Sequence, residues 1–413
     1  MTVNGNPTQQ HPAGAWPDPA RPSHQDFAPL PAWHDPAPVP LPAQRRPGWG
    51  AIVLASLGSA VLASGLTAGG VLALEDSPSP TPAVASSAAD RAPLALGTDA
   101  VDWTAVARTV SPSVVSIQVA GQGGQGQGSG VVLDERGHIL TNNHVVTGAG
   151  SGAQVQVVLA DGRVFSDIEV VGLDPATDLA VLQITDAPDD LVPVALGDSD
   201  SVVAGQGVMA VGNPLGLSNS VTTGIVSTTD RPVTTGGQQD VAGSEPVVTN
   251  AIQTDAAVNP GNSGGALVDA TGSLVGIPSS IASMGSSGQA GSIGLGFAIP
   301  VNEARRIADE LIETGKASHA WLGVQLNDGS ATADGATRQG AAVVDVTAGT
   351  PAEDAGLQPQ DMIVSVDGEQ VAGSLSLTAQ VRERAPGDAA TLSVVRDGRL
   401  RDVPVQLGTR PEN

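Results

Sequence analysis

The chain has 413 residues, enough for roughly two to three domains and a sizeable core, yet it holds only 3 Phe, 5 Trp and no Tyr, so any core must be built from Val, Ala, Leu and Ile. A formal net charge of −24 leaves no basic surface to offset phosphate repulsion, which argues against nucleic-acid binding and against adhesion of the soluble part to anionic lipid. The absence of Cys excludes a disulfide framework, a thiol nucleophile and a Cys-based metal site.

Residues 1–47 are rich in Pro, Ala, Gln and Asp without apolar periodicity. Such a composition cannot bury enough surface to offset chain entropy, and it reads as a disordered tail. Gly50 to Leu74 carries no charge, and as a helix it would span about 37 Å, enough for a bilayer core. Arg45 and Arg46 precede it while Glu75 and Asp76 follow, so the positive flank places the N-terminus in the cytoplasm and the C-terminal bulk outside. Ala83-Val84-Ala85 resembles a signal-peptide cleavage site, but the segment before the apolar run is far longer than a usual n-region. The expectation is one uncleaved transmembrane helix over 50–74, followed by a Ser/Pro/Ala-rich linker over 75–100.

A globular pattern begins at residue 101. A short helix is expected over Trp103–Ala107, then a dozen short β-rich runs from Val114–Val119 to Gly296–Ala298, with Val164–Leu173 read as one strand and Gly121–Gly128 as a surface loop. So many short strands without intervening amphipathic helices predict antiparallel barrels or a sandwich. Ala304, Ile307, Ala308, Leu311 and Ile312 recur at helical spacing and end at Gly315, closing a first domain over 101–315. Residues 319–409 form a second, small α+β unit. It has a short helix after Pro351, a hairpin at Asp367-Gly368, a helix over Leu375–Arg384 and two strands around Asp397-Gly398.

The chemistry centres on Asn259-Pro260-Gly261-Asn262-Ser263-Gly264-Gly265, a serine held between glycines with strand-like residues on both sides. Such a turn can expose a hydroxyl and aim backbone amides at one spot, which acyl transfer needs; alone, it could equally be a Gly-rich hairpin. His138 follows Arg136-Gly137 in a turn and reads as a surface residue. His144 follows a strand in Thr141-Asn142-Asn143-His144-Val145-Val146, and Asp178 stands at the mouth of the buried run Leu179–Leu182. Histidine, aspartate and serine in this order on a β-rich domain match the chymotrypsin-type arrangement and differ from the subtilisin and α/β-hydrolase orders.

Thr141–Val146, Thr177-Asp178-Leu179-Ala180-Val181, Gln253–Gly265 and Gly294-Leu295-Gly296-Phe297-Ala298-Ile299-Pro300 together resemble the successive signatures of HtrA/DegP-type serine proteases, in a bacterial, membrane-anchored and actinobacterial form. Trp321-Leu322-Gly323-Val324 and Thr350–Ile363 resemble the carboxylate-binding loop and the helix-and-strand signature of a PDZ domain. The resemblance covers roughly 100–410 and implies a mainly β fold: a chymotrypsin-like pair of six-stranded β-barrels with the active site between them, plus a small α+β PDZ domain. It implies Ser263 as nucleophile, His144 as base, Asp178 as orienter, and the amides of Gly261 and Ser263 as the oxyanion hole, with no metal or organic cofactor. The S1 wall would come from Gly276–Ile281, with Ile277, Ser279 and Ser280 as pocket residues; nothing acidic lies there, so Val, Ala or Leu is expected at P1. Pro278 stands where the family usually has Asn, which puts the local loop geometry in question. The resemblance further implies that the loops over 229–246 and 282–291 switch the oxyanion turn, and that Leu322, Gly323 and Val324 receive C-terminal peptides by β-augmentation. It implies a homotrimer. The function implied is extracytoplasmic protein quality control under stress, by cutting misfolded or exposed proteins. A regulatory protease of one membrane partner, or a catalytically silent chaperone or PDZ adaptor, remain the alternatives.

Overall fold

A computed structural model describes residues 101–150, 152–214, 219–235, 247–259, 261–279, 292 and 294–411. The N-terminal tail, the apolar run over 50–74, the linker and most of the two expected switch loops lie outside these residues. Among the described residues no helix is long and apolar enough to cross a membrane.

Helix α1 (Trp103–Val110) starts where the Asp102 carboxylate accepts the amides of Thr104 and Ala105, and it buries Val106 and Val110. Seven strands follow in one antiparallel sheet: β1 (Val114–Gly121), β2 (Gly124–Val132), β3 (His138–Asn142), β4 (Gln154–Val158), β5 (Val164–Phe165), β6 (Ile168–Asp174) and β7 (Leu179–Ile184), with the short helix α2 (Asn143–Thr147) after β3. The spatial order is β5-β4-β1-β2-β3-β7-β6. Two expectations are corrected here. The Gly-rich run over 121–128 is not a loop but the tip of the β1–β2 hairpin: Gly124 to Gly128 each have a partner on β1 (Gln118 opposite Gln127, Ala120 opposite Gln125), the ladder satisfies their backbone, and only Gln122 and Gly123 form the turn. The single strand foreseen over 164–173 is two strands, broken at Ser166 and Asp167.

A second set closes on itself: β8 (Gly207–Gly212), β9 (Ser220–Thr235), β10 (Val247–Thr254), β11 (Ala266–Val268), β12 (Leu274–Pro278) and β13 (Gly296–Pro300) form a six-stranded barrel. The first sheet has seven strands and stays open between β5 and β6, so it differs from the expected six-stranded barrel; β5, at two residues, is too short to close the ring. Val131, Leu140, Leu179 and Val181 of the sheet meet Val211, Leu274 and Ile277 of the barrel in one core. Helix α3 (Val301–Thr314) seals it with Ala304, Ile307, Ala308 and Leu311 and ends at Gly315 in the left-handed conformation. Full burial of a side chain such as Ile307 or Leu311 contributes about 2–3 kcal/mol.

The C-terminal part has its own core around Ile363, Val366, Leu377, Leu392 and Val394. It comprises β14 (Ala320–Trp321), β15 (Val324–Ala333), β16 (Ala336–Val346), α4 (Pro351–Asp354), β17 (Met362–Val366), β18 (Glu369–Gln370), α5 (Ser374–Glu383), β19 (Ala389–Arg396), β20 (Arg399–Gln406) and β21 (Gly408–Thr409). Strand β15 ends the sheet β15-β16-β17-β19-β20. The hairpin at Asp397-Gly398 has φ of 53° and 71°, the paired left-handed residues of a type I′ turn. Helix α5 lies against β9 and β10 of the barrel, where the Asn250 side-chain amide donates to Glu383 at 2.9 Å.

Candidate active site

Strand β3 delivers Asn142 and Asn143 to the mouth of β7, where the Asn142 side-chain amide and the Asn143 backbone amide both donate to the Asp178 carbonyl, at 2.9 and 3.0 Å. This tie sets His144, in the first turn of α2, opposite the Asp178 side chain. Asp178 is 4% exposed and has φ of 61°. Its Oδ2 lies 2.8 Å and its Oδ1 3.0 Å from His144 Nδ1; Oδ1 also accepts the His144 amide at 3.0 Å, and Oδ2 the Ser279 hydroxyl at 3.0 Å. A carboxylate among three donors is an acceptor, so His144 carries its proton on Nδ1 and presents Nε2 as the basic atom.

Ser263 is 2% exposed and sits in a turn made of backbone bonds. The Asn262 amide donates to Asn259 O at 2.9 Å, Gly265 to Asn262 O at 3.0 Å, and Gly264 to Pro278 O at 3.0 Å. Only glycine fits two of its positions. Gly261 has φ of 98°, and a Cβ there would lie 2.4 Å from Pro214 Cβ; Gly264 has φ of 79°, and a Cβ would lie 2.3 Å from Ser129 O and Thr141 Oγ1. Ser129 of β2 pins the turn from the sheet side. Its amide donates to Ser263 O at 2.9 Å, and its hydroxyl donates to Gly261 O at 2.6 Å while accepting the Asn213 amide at 2.8 Å. The structure thus brings His144 and Asp178 from the sheet, and Ser263 and Ser279 from the barrel, to one seam. Ser129 went unnoticed in the sequence because it lies beside the run read as a loop.

Other expected residues fall elsewhere. Ile277 is fully buried and packs in the core, so its side chain does not line a pocket; β12 is buried along its whole length, between two apolar clusters. Ser279 is engaged with Asp178, and Ser280 lies outside the described residues. Pro278 ends β12 opposite Ala298, a strand position that tolerates a missing amide, and its carbonyl serves Gly264. His138, expected at the surface, is 5% exposed and holds Asp134 Oδ2 at 2.7 Å through Nδ1. Leu322, Gly323 and Val324 line a groove of about 290 Å³ together with Leu377 and Val381 of α5. Among the described residues no group of three or more His, Asp or Glu is placed to hold a metal ion.

The trypsin-like peptidase domain family matches residues 128–277 and the PDZ domain family residues 320–407. Over 389 residues, 90% of this chain and 80% of the relative, the sequence is 42% identical to the serine protease PepD of Mycobacterium tuberculosis. The chain belongs to the HtrA/DegP-type serine proteases. This HtrA-type protease is also 40% identical over 291 residues to a probable periplasmic serine endoprotease, DegP-like, of Brucella suis; the match covers 70% of the chain and 53% of that relative, about half its length. Among solved structures, HtrA-type protease AlgW with tripeptide is 35% identical with a TM-score of 0.54, over 75% of this chain and 98% of that one. The HtrA-type protease described here is therefore a serine endopeptidase with a C-terminal PDZ domain.

Proposed function

We propose that Ser263, His144 and Asp178 perform the endopeptidase reaction. The observation that carries this is the two-oxygen contact of buried Asp178 with His144 Nδ1, which holds the imidazole in the tautomer a general base needs. His144 Nε2 takes the Ser263 hydroxyl proton as Oγ attacks the peptide carbonyl. The oxyanion that forms is received by the amides of Gly261 and Ser263, on either side of Asn262 in the glycine-bounded turn. The imidazolium, stabilised by Asp178, then gives its proton to the leaving amine. Water repeats the sequence on the acyl-enzyme, returning its proton to His144 and restoring Ser263. The test is the full-length chain beside its Ser263→Ala form on unfolded casein: cleavage by the parent alone supports the assignment, and cleavage by both refutes it.

The finer reading follows from features outside the triad. No carboxylate occurs between Gly276 and Ser279, which favours small or medium apolar residues at P1. Strand β15 ends its sheet beside the Leu322–Val324 loop, so a C-terminal peptide can add as a further strand against α5. AlgW is described with a tripeptide and with a decapeptide, and peptide binding is proposed here by that likeness. The uncharged run over 50–74 would anchor the protein with protease and PDZ parts outside, in keeping with relatives described as periplasmic; release from membranes by an alkaline wash would sink the anchor. We take the assembly to be a homotrimer by family likeness, a point sedimentation of the full-length chain decides. Misfolded extracytoplasmic proteins are the substrates this reading implies.

A further inference from the structure

The catalytic aspartate closes the hairpin Asp174-Pro175-Ala176-Thr177-Asp178 between β6 and β7, in which Asp174 pairs with Leu179. Asp178 has φ of 61°, a left-handed conformation that Asp tolerates and most other residues do not. The turn that leads into it is tied internally by Asp174, which is 4% exposed. Its Oδ1 accepts the Ala176 amide at 3.2 Å, and its Oδ2 accepts the Thr177 hydroxyl in a very short contact. A further partner of Asp174 comes from far along the chain: His319 Nε2 lies 2.9 Å from Oδ1. His319 is 9% exposed and sits in the connection from α3 to β14, where its carbonyl accepts the Arg410 amide at 2.9 Å. Its Nδ1 is buried without a hydrogen-bond partner among the described groups, so the bond to Asp174 is what orients the ring. Burial works to raise the Asp174 pKa, but the hydrogen bond and charge of His319, with the hydrogen bonds from Thr177 and Ala176, together hold the carboxyl below the usual range. Two other charged groups face Asp174: Arg382 of α5 and Glu303 of α3.

We propose that His319 is a positioning residue for the protease: by holding Asp174 it fixes the Asp174–Asp178 turn, and so makes the aim of Asp178 at His144 conditional on the seated connection into the PDZ domain. The proposal rests on the triad assigned above. Its logic is geometric. Asp178 meets His144 with both oxygens and meets Ser279 with one, so even a small rotation of the turn trades those contacts against each other. A less well-aimed carboxylate orients the imidazole less firmly and stabilises the imidazolium less as His144 takes the Ser263 proton.

The test compares full-length protein with its His319→Ala, His319→Gln, Thr177→Val and Ser263→Ala forms on fluorescein-labelled casein between about pH 5 and pH 9. In His319→Ala, kcat should fall about tenfold with KM within about twofold, and the acidic limb of kcat/KM should move down by roughly half a pH unit. Thr177→Val, which removes the hydroxyl on Asp174 Oδ2, should move both in the same direction. His319→Gln keeps a side-chain amide donor for Oδ1 and should restore most of kcat and the limb. A purely structural role would reduce the number of active molecules without moving the limb, so a kcat loss with a fixed limb overturns the proposal. Unchanged kcat and limb in Thr177→Val, with Ser263→Ala inactive, overturn it too, even where His319→Ala fails to fold. Cleavage by Ser263→Ala overturns the triad, and the proposal falls with it.

Discussion

Glu303 offers a sharp test of how the protein tolerates buried charge. It lies in the first turn of α3 at 3% exposure, and its Oε2 has no hydrogen-bond partner among the described groups. Burial, reinforced by the Glu383 carboxylate, pushes its pKa up to about 8, and the opposing charges of Arg306 and Arg382 do not offset this. The folded chain therefore holds a proton that the unfolded chain releases near the ordinary value of 4.5. The group imposes no penalty below that value; stability falls as pH rises from there, and the fall levels off above about 8. Between the ordinary value and pH 7 the loss is on the order of 3 kcal/mol. Glu303→Gln keeps the shape and removes the titration, leaving a buried amide that itself costs about 1 kcal/mol or more. Thermal melts of both full-length proteins, followed by tryptophan fluorescence at several pH values, should give similar Tm near pH 4.5 and a Gln form more stable by roughly 5–10 °C near pH 8. Tm curves that run parallel across this range would refute the buried, proton-holding assignment.

Ser129→Ala leaves the Asn213 amide without its acceptor and unpins the Gly261 carbonyl; it should cost about 1–3 kcal/mol in urea unfolding and lower casein cleavage more than it lowers stability. Gly264→Ala puts a methyl 2.3 Å from two oxygens at a left-handed backbone position, so cleavage should fall by about a hundredfold or more while circular dichroism keeps its β signature. Asp178→Asn should lower kcat by about 10⁴-fold near neutral pH with little change in KM, because a side-chain amide facing Nδ1 favours the wrong tautomer.

Much of the site was legible because acyl transfer demands few residue types in few patterns. A serine between glycines needs left-handed backbone on both sides, and Gly261 and Gly264 supply it. The turn signals Asp367-Gly368 and Asp397-Gly398 fall where hairpins form, since both residues tolerate positive φ. What stayed hidden depended on pairing at a distance. Nothing local tells that Gln125 and Gln127 find partners on β1, so their glycine neighbours looked like a loop. Ile277 stands in the stretch that the family likeness assigns to the S1 wall, yet β12 is buried on both faces and its side chain packs in the core. His138 looked exposed after a turn, but Asp134 satisfies it and lets it be buried. His319 gave no signal, since its partner is 145 residues away.

The two catalytic turns share a design that bears on how the enzyme fails. Each depends on left-handed backbone: Gly261 and Gly264 around the nucleophile, where only glycine adopts it freely, and Asp178 at the acid, where Asp tolerates it. Each is kept there by groups from another segment. Ser129 of β2 clamps the nucleophile turn, and Asn142 and Ser279 clamp Asp178. None of these clamps contributes to the large apolar cores, which rest on Val, Leu and Ile and do not need the seam to be closed. Loss of one clamp therefore loosens its turn locally and leaves the cores intact. Activity is consequently the less robust property of this molecule and folding the more robust one, because the seam depends on a handful of polar contacts while the cores depend on many interchangeable apolar ones.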